Sequence, residues 1–211
     1  MICLDPSSSI SSAPRAFTPS VRRGIGIEAE DFRLSPTASS DWFSFHLLHN
    51  NQSLLRRYWS LRQSIFCTEQ LVFQSTDRDE LDQRAYPIAA LHHGNSPIDV
   101  VGVVRIVETQ PHHWFGGRLG VHRSFRSHNQ IGKGLIWKAV TTANGWGCQC
   151  FQAAVQIQNV RFFKRLHWSS LEEMDIHGIR HHLMQADLNT TQRQRSAVLL
   201  KPSRHETRRF G

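Results

Sequence analysis

The sequence predicts an α/β (α+β) fold, with helices inserted among the strands of one sheet. Three observations predict it. The run from Asp99 to Glu108, Asp-Val-Val-Gly-Val-Val-Arg-Ile-Val-Glu, is β-branched and nearly continuous, as a central buried strand requires. Upstream, Leu54, Leu55, Tyr58, Leu61, Ile65 and Phe66 recur at spacings of three and four, which marks an amphipathic helix. Strand-like and helix-like stretches also interleave along the chain, in the order strand, helix, three strands, helix, strand, helix, two strands.

Each element has its own signal. Residues 1–40 are rich in Ser and Pro without periodicity and read as a disordered extension. The folded domain spans 41–188 and opens with a strand at Trp42 to Leu48. The helix follows from Ser53 to about Gln70. Gln74 to Arg84 is acidic and turn-rich, hence a loop. Tyr86 to His92 is a strand ending in the turn residues His93-Gly94-Asn95-Ser96-Pro97, so that it forms a hairpin with Asp99 to Glu108. A further strand begins at Arg118. After a polar loop and a turn at Gly132 and Gly134, a helix runs from Leu135 to Trp146 and stops at Gly147. Phe151 to Gln156 is a strand and Asn159 to Leu166 a short helix. Ser170 to His177 and Arg180 to Leu188 close the domain as a hairpin around Gly178. Residues 189–211 read as a basic, disordered tail.

Composition narrows the function classes. A chain of 211 residues with 39% hydrophobic content suits one domain with a real core. No apolar stretch approaches the roughly 18 residues of a membrane span. The first twenty residues lack the apolar run of a leader, so the cytoplasm is the expected compartment. Cys3, Cys67, Cys148 and Cys150 show no metal-ligand spacing and are expected as reduced, mostly buried thiols, the last two sharing a strand face. Of the thirteen histidines, the pairs His92-His93, His112-His113 and His181-His182 would point to opposite faces of strands, so no metal is expected. The net charge is +8, of which +5 lies in the tail, carried by six basic residues against Glu206. No nucleic-acid-binding motif accompanies that charge, so nucleic acid is not an expected partner.

The chemistry concentrates in Leu119-Gly120-Val121-His122-Arg123-Ser124-Phe125-Arg126-Ser127-His128-Asn129-Gln130-Ile131-Gly132-Lys133-Gly134. A strand, a basic loop and glycines lead into a helix. Free N–H groups at a helix start, with the positive end of its dipole, hold anions, and glycine lets the backbone approach a phosphate. Arg126 and Lys133 add charge. By spacing alone, a phosphate site and plain close packing stand level. The pattern is neither a dinucleotide fingerprint nor a P-loop.

This stretch resembles the acyl-CoA-binding motif of GNAT acetyltransferases, a strand ending Leu-x-Val followed by Arg/Gln-x-x-Gly-x-Gly/Ala at a helix start. Gly132 and Gly134 match the two small positions, and Asn129 stands where Arg or Gln is usual. A second segment, Gln158-Asn159-Val160-Arg161-Phe162-Phe163-Lys164, resembles the family's Asn-containing helix start. Asn159 matches the asparagine that bonds the pantetheine arm, and Phe163 stands where many members have a tyrosine that protonates the leaving thiolate. Phenylalanine cannot donate a proton. A third match joins Leu61-Arg62-Gln63-Ser64-Ile65-Phe66-Cys67-Thr68-Glu69-Gln70 with Asp79, Asp82, Gly102 and Arg105, a pattern shared with acyl-homoserine-lactone synthases. The segment 177–188 is similar to a bacterial and cyanobacterial GNAT subgroup associated with nitrogen starvation.

The resemblance implies a mixed, mostly antiparallel, twisted sheet of six to seven strands with helices on both faces. It implies acetyl-CoA or another acyl-CoA as co-substrate, without a metal, and an amine of a small molecule or protein as acceptor. A homodimer is admitted, a membrane partner is not. Donor-binding candidates are Gly120, Val121, Arg126, Asn129, Gln130, Ile131, Gly132, Lys133, Gly134, Asn159 and Phe163. The amine attacks the thioester directly, with a backbone N–H near Val121 holding the oxyanion. Glu108 and then Glu69 are the candidate bases, each balanced by a structural role: a solvated strand end for Glu108, a bond to Arg62 or Arg105 for Glu69. His122 is a candidate proton donor. A non-catalytic acyl-CoA sensor and an acyl-homoserine-lactone-synthase-like enzyme are the alternatives.

Overall fold

The computed structural model describes residues 3–4, 42–48, 51–94, 98–176 and 178–190. The disordered extension expected over 1–40 and the tail over 189–211 lie almost wholly outside them. Among the described residues there are eight strands: β1 Cys3–Leu4, β2 Trp42–Leu47, β3 Tyr86–His93, β4 Asp99–Gln110, β5 His113–Val121, β6 Cys150–Gln156, β7 Trp168–Ile176 and β8 Ile179–Ala186. The helices are α1 Gln52–Arg62, α2 Asn129–Gly145 and α3 Val160–Lys164. Seven strands form one sheet in the order β2-β3-β4-β5-β6-β8-β7, and β1 pairs with β6 off that path. Every neighbouring pair is antiparallel except β5 with β6.

Each face of the sheet buries its own core. Phe43, Phe45, Ile106, Leu119, Ile131 and Leu135 pack on the face covered by α2. Tyr58, Ile65, Phe66, Val103, Val107 and Ala154 pack on the face covered by α1. The expected class, with helices on both faces, is the one found.

Four local expectations are corrected. The helix α2 begins at Asn129, six residues before Leu135, so Gly132 and Gly134 lie inside it. Glycine costs a helix about 1 kcal/mol, but a Cβ at Gly134 would lie 2.1 Å from the Phe45 ring, so its absence seats the helix on β2. The strand β5 starts at His113, five residues before Arg118, because pairing to β4 holds Phe115, Gly116 and Gly117 extended. After α1 the chain winds as a π-helix over Gln63–Glu69, with Gln70 N–H bonding Ile65 O at 3.1 Å. Such turns mark functional regions. Finally, β6 starts at Cys150, so Cys148 lies in the preceding turn and shares no strand face with it.

Candidate functional site

The site is an opening between two parallel strands. β5 and β6 are paired only from His113/Cys150 to Phe115/Gln152. Beyond that, β5 carries a bulge: Arg105 faces Gly117 and Val103 faces Gly120, so three steps on β5 match two on β4. Arg118 sits at the bulge with φ of 52°, the left-handed region a side chain rarely adopts. A bulge bends its strand and increases twist, and here the bent strand leaves β6.

A buried ion cluster fixes that bend. Arg118 donates through Nη2 to Asp79 at 2.9 Å and to the Asp77 carbonyl at 3.0 Å. Arg105 grips both Asp79 oxygens, at 2.6 and 2.7 Å, and Arg62 grips Asp82 at 2.7 and 3.0 Å and Asp77 at 2.7 Å. The three arginines are no more than 3% exposed. Burial alone would raise the Asp82 pKa, but the bonds and charges of Arg62 and Arg105 outweigh it and bring it down to about 2. Asp79 is lowered in the same way, burial being outweighed by Arg105 and Arg118. A buried network of paired charges like this is costly to break from one side. Arg62, Asp79, Asp82 and Arg105 belong to the sequence pattern described above, whereas Arg118 and Asp77 lie outside it. The signal was present in the acidic loop, which carries more carboxylates than its neighbours.

Glu69, the last residue of the π-helix, stands at the mouth of the opening. Arg126 donates to both its carboxylate oxygens, Nη2 at 2.7 Å, and donates through Nε to the carbonyl of Val121 at 3.0 Å. The Arg126 bond holds the Glu69 carboxyl below its ordinary pKa. Glu69 therefore does not pair with Arg62 or Arg105, the partners expected for it, because Asp77, Asp79 and Asp82 take both. Gly120 makes the approach possible, since a Cβ there would lie 2.9 Å from Ile65 of the π-helix.

Below the mouth, α2 begins with no side-chain cap; the Asn129 N–H donates to the Ser127 carbonyl at 3.2 Å and the Ile131 N–H to that of His128 at 3.0 Å, and the positive end of the helix dipole faces the opening. Asn129 and Lys133 are exposed and Gln130 half-buried, while Ile131 and Gly132 are buried. Across the opening, half-buried Asn159 ends the turn between β6 and α3. The structure thus gathers Gly120, Val121, Arg126, Asn129, Gln130, Ile131, Gly132, Lys133 and Gly134 on one side and Asn159 on the other.

Three candidates sit elsewhere or are otherwise engaged. Glu108 pairs with Trp114, where β5 and β6 are still joined, and its Oε1 accepts from His112 N–H at 2.9 Å. Seven strand steps lead from that level to Val121, roughly 23 Å at about 3.3 Å per residue. Phe163 is 1% exposed and packs edge-on against Trp168, ring centroids 5.0 Å apart, inside the α2-side core. His122 is exposed and accepts the Ser124 N–H through Nδ1 at 3.3 Å, closing a short turn. Among the described residues no group of three or more His, Cys, Asp and Glu could hold a metal ion, and no helix is long and apolar enough to cross a membrane.

The sequence model of the acetyltransferase (GNAT) family matches residues 50–168. A putative N-acetyltransferase from Lactobacillus plantarum superposes with a TM-score of 0.59 at 17% identity, covering 70% of this chain and 98% of that one. ElaA of Escherichia coli gives 0.58 at 21% identity, covering 69% and 99%. The CoA-dependent acyl-homoserine lactone synthase BjaI, in a structure with SAM and isopentyl-CoA, gives 0.56 at 15% identity, covering 72% and 84%. No protein of curated function matches by sequence.

Proposed function

Because the chain belongs to the acetyltransferase (GNAT) family, we propose that it transfers an acyl group from acetyl-CoA or a related acyl-CoA to an amine, with the opening between β5 and β6 as the donor slot. The observation that carries this reading is the juxtaposition of that opening with a carboxylate at its mouth and an uncapped helix start beneath it. The strand edges beyond the last β5–β6 pair carry N–H and C=O groups that suit the amides of the pantetheine arm, and Asn159 adds a side-chain amide. The first-turn N–H groups of α2, with Lys133, take the pyrophosphate. Arg126 is already committed to Glu69 and Val121, so its role is to hold the carboxylate rather than the phosphate.

Chemistry follows from Glu69. The acceptor nitrogen attacks the thioester carbonyl carbon, and a backbone N–H near Val121 receives the oxyanion. The C–S bond then breaks and CoA leaves as thiolate. The proton lost by nitrogen passes through a water to Glu69. The thiolate is protonated by water, since Phe163 has no proton to give.

The test is release of free CoA against a panel of small-molecule and peptide amines, alongside acyl-CoA binding. Turnover with at least one amine supports the transferase; binding without turnover on any amine favours the sensor reading. The buried Phe163 is the observation behind that second reading, because no side chain at this place assists the leaving group.

A further inference from the structure

The strand β1 lies in the opening just described. Cys3 pairs with Val155 and Leu4 with Ala154, antiparallel, on the part of β6 that β5 has left. A strand edge with unpaired N–H and C=O groups is a template for any extended backbone. β1 satisfies part of that edge from within the chain. The pantetheine arm would use the same edge through its own amides.

We infer that the segment carrying Cys3–Leu4 is an internal competitor of acyl-CoA, and that strand and donor exclude one another from the space between β5 and β6. This rests on the donor-slot reading above. The competitor is short: two residues contribute few ladder bonds, against the long runs joining β3 to β4 or β7 to β8. It is therefore displaceable. It is also tethered, through residues 5–41, to β2, so the competition is intramolecular and a weak contact suffices. The apparent affinity for donor falls in proportion to the fraction of molecules whose slot is free. Any event that draws the segment away, such as a partner binding it, would raise donor affinity without touching a residue of the slot.

The test compares the full chain with its Cys3→Pro/Leu4→Pro variant, in which neither residue has an N–H to donate to the ladder. Binding of CoA is measured by calorimetry. If nine molecules in ten hold the strand, the variant binds about tenfold more tightly. Adding a synthetic peptide of residues 1–8 to the variant then weakens CoA binding again. Equal or weaker binding by the variant, or indifference to the peptide, overturns the inference while leaving the donor slot standing. If neither protein binds CoA, the donor reading fails and the competitor role goes with it.

Discussion

Arg126 grips the carboxylate of Glu69, Nη2 to Oε2 at 2.7 Å, while its Nε holds the carbonyl of Val121 at 3.0 Å. One guanidinium thus fixes a base candidate to the last residue of the strand that opens the sheet. Replacing Glu69 by Gln keeps the shape and removes the proton acceptor. CoA release at saturating donor should fall by about 10²-fold, the lower range for general-base loss, with CoA affinity unchanged. Glu108→Gln should leave the rate as it is. A steady-state comparison of the two variants checks this; loss confined to Glu108→Gln would reverse the assignment.

The bulge at Arg118 depends on Asp77 and Asp79. Arg118→Ala leaves buried carboxylates undercompensated and should cost about 3 to 5 kcal/mol in urea unfolding. The exposed pair Glu173–Arg180 gives the contrast: Arg180→Ala should leave the urea midpoint almost unchanged. Similar losses at both sites would mean that the cluster does not hold the bend.

Acid should weaken the fold through Asp82. Its folded pKa is depressed to about 2, below the ordinary unfolded carboxylate value of about 3.9. The unfolded chain therefore binds a proton first as pH falls. The stabilisation is fully present above about pH 5 and is lost between about pH 4 and 2. Allowing for water that reaches the carboxylate, Asp82 accounts for roughly 1 to 2 kcal/mol of that loss. Urea midpoints between pH 2 and 6, with Asp82→Asn flattening the curve, provide the measurement.

Phe163→Tyr should not restore a proton donor. The ring is enclosed by the core and faces Trp168. A hydroxyl added there is buried without a partner and should cost about 1 to 3 kcal/mol, with no gain in turnover. A faster enzyme would show that the ring reaches the thiolate.

Much of this was legible in the residues, for physical reasons that differ by element. Asp99 to Glu108 could be read because a central strand needs β-branched side chains on both faces. The amphipathic spacing from Leu54 to Phe66 gave α1 its buried face. The start of α2 was hidden because Gly132 and Gly134 resemble a turn locally; only the Phe45 ring, 89 residues before Gly134 in the chain, makes a glycine useful inside that helix. The first half of β5 was hidden by Gly116 and Gly117, whose extended form comes from pairing to β4. The bulge at Arg118 and the π-helix that ends at Glu69 arise from tertiary contacts with no local code. They decide the site: they part the strands and place Glu69 rather than Glu108 at the mouth.

In the proposed mechanism the opening between β5 and β6 receives the donor. Hydrogen exchange of the full chain with and without CoA tests it most directly. Slowed exchange is expected at the start of α2, around Asn129 to Gly134, and along Gly117 to Val121 and Ala153 to Gln156, with the hairpin from Glu108 to Trp114 unaffected. No change at those segments with saturating CoA, or protection confined to the hairpin, would contradict it.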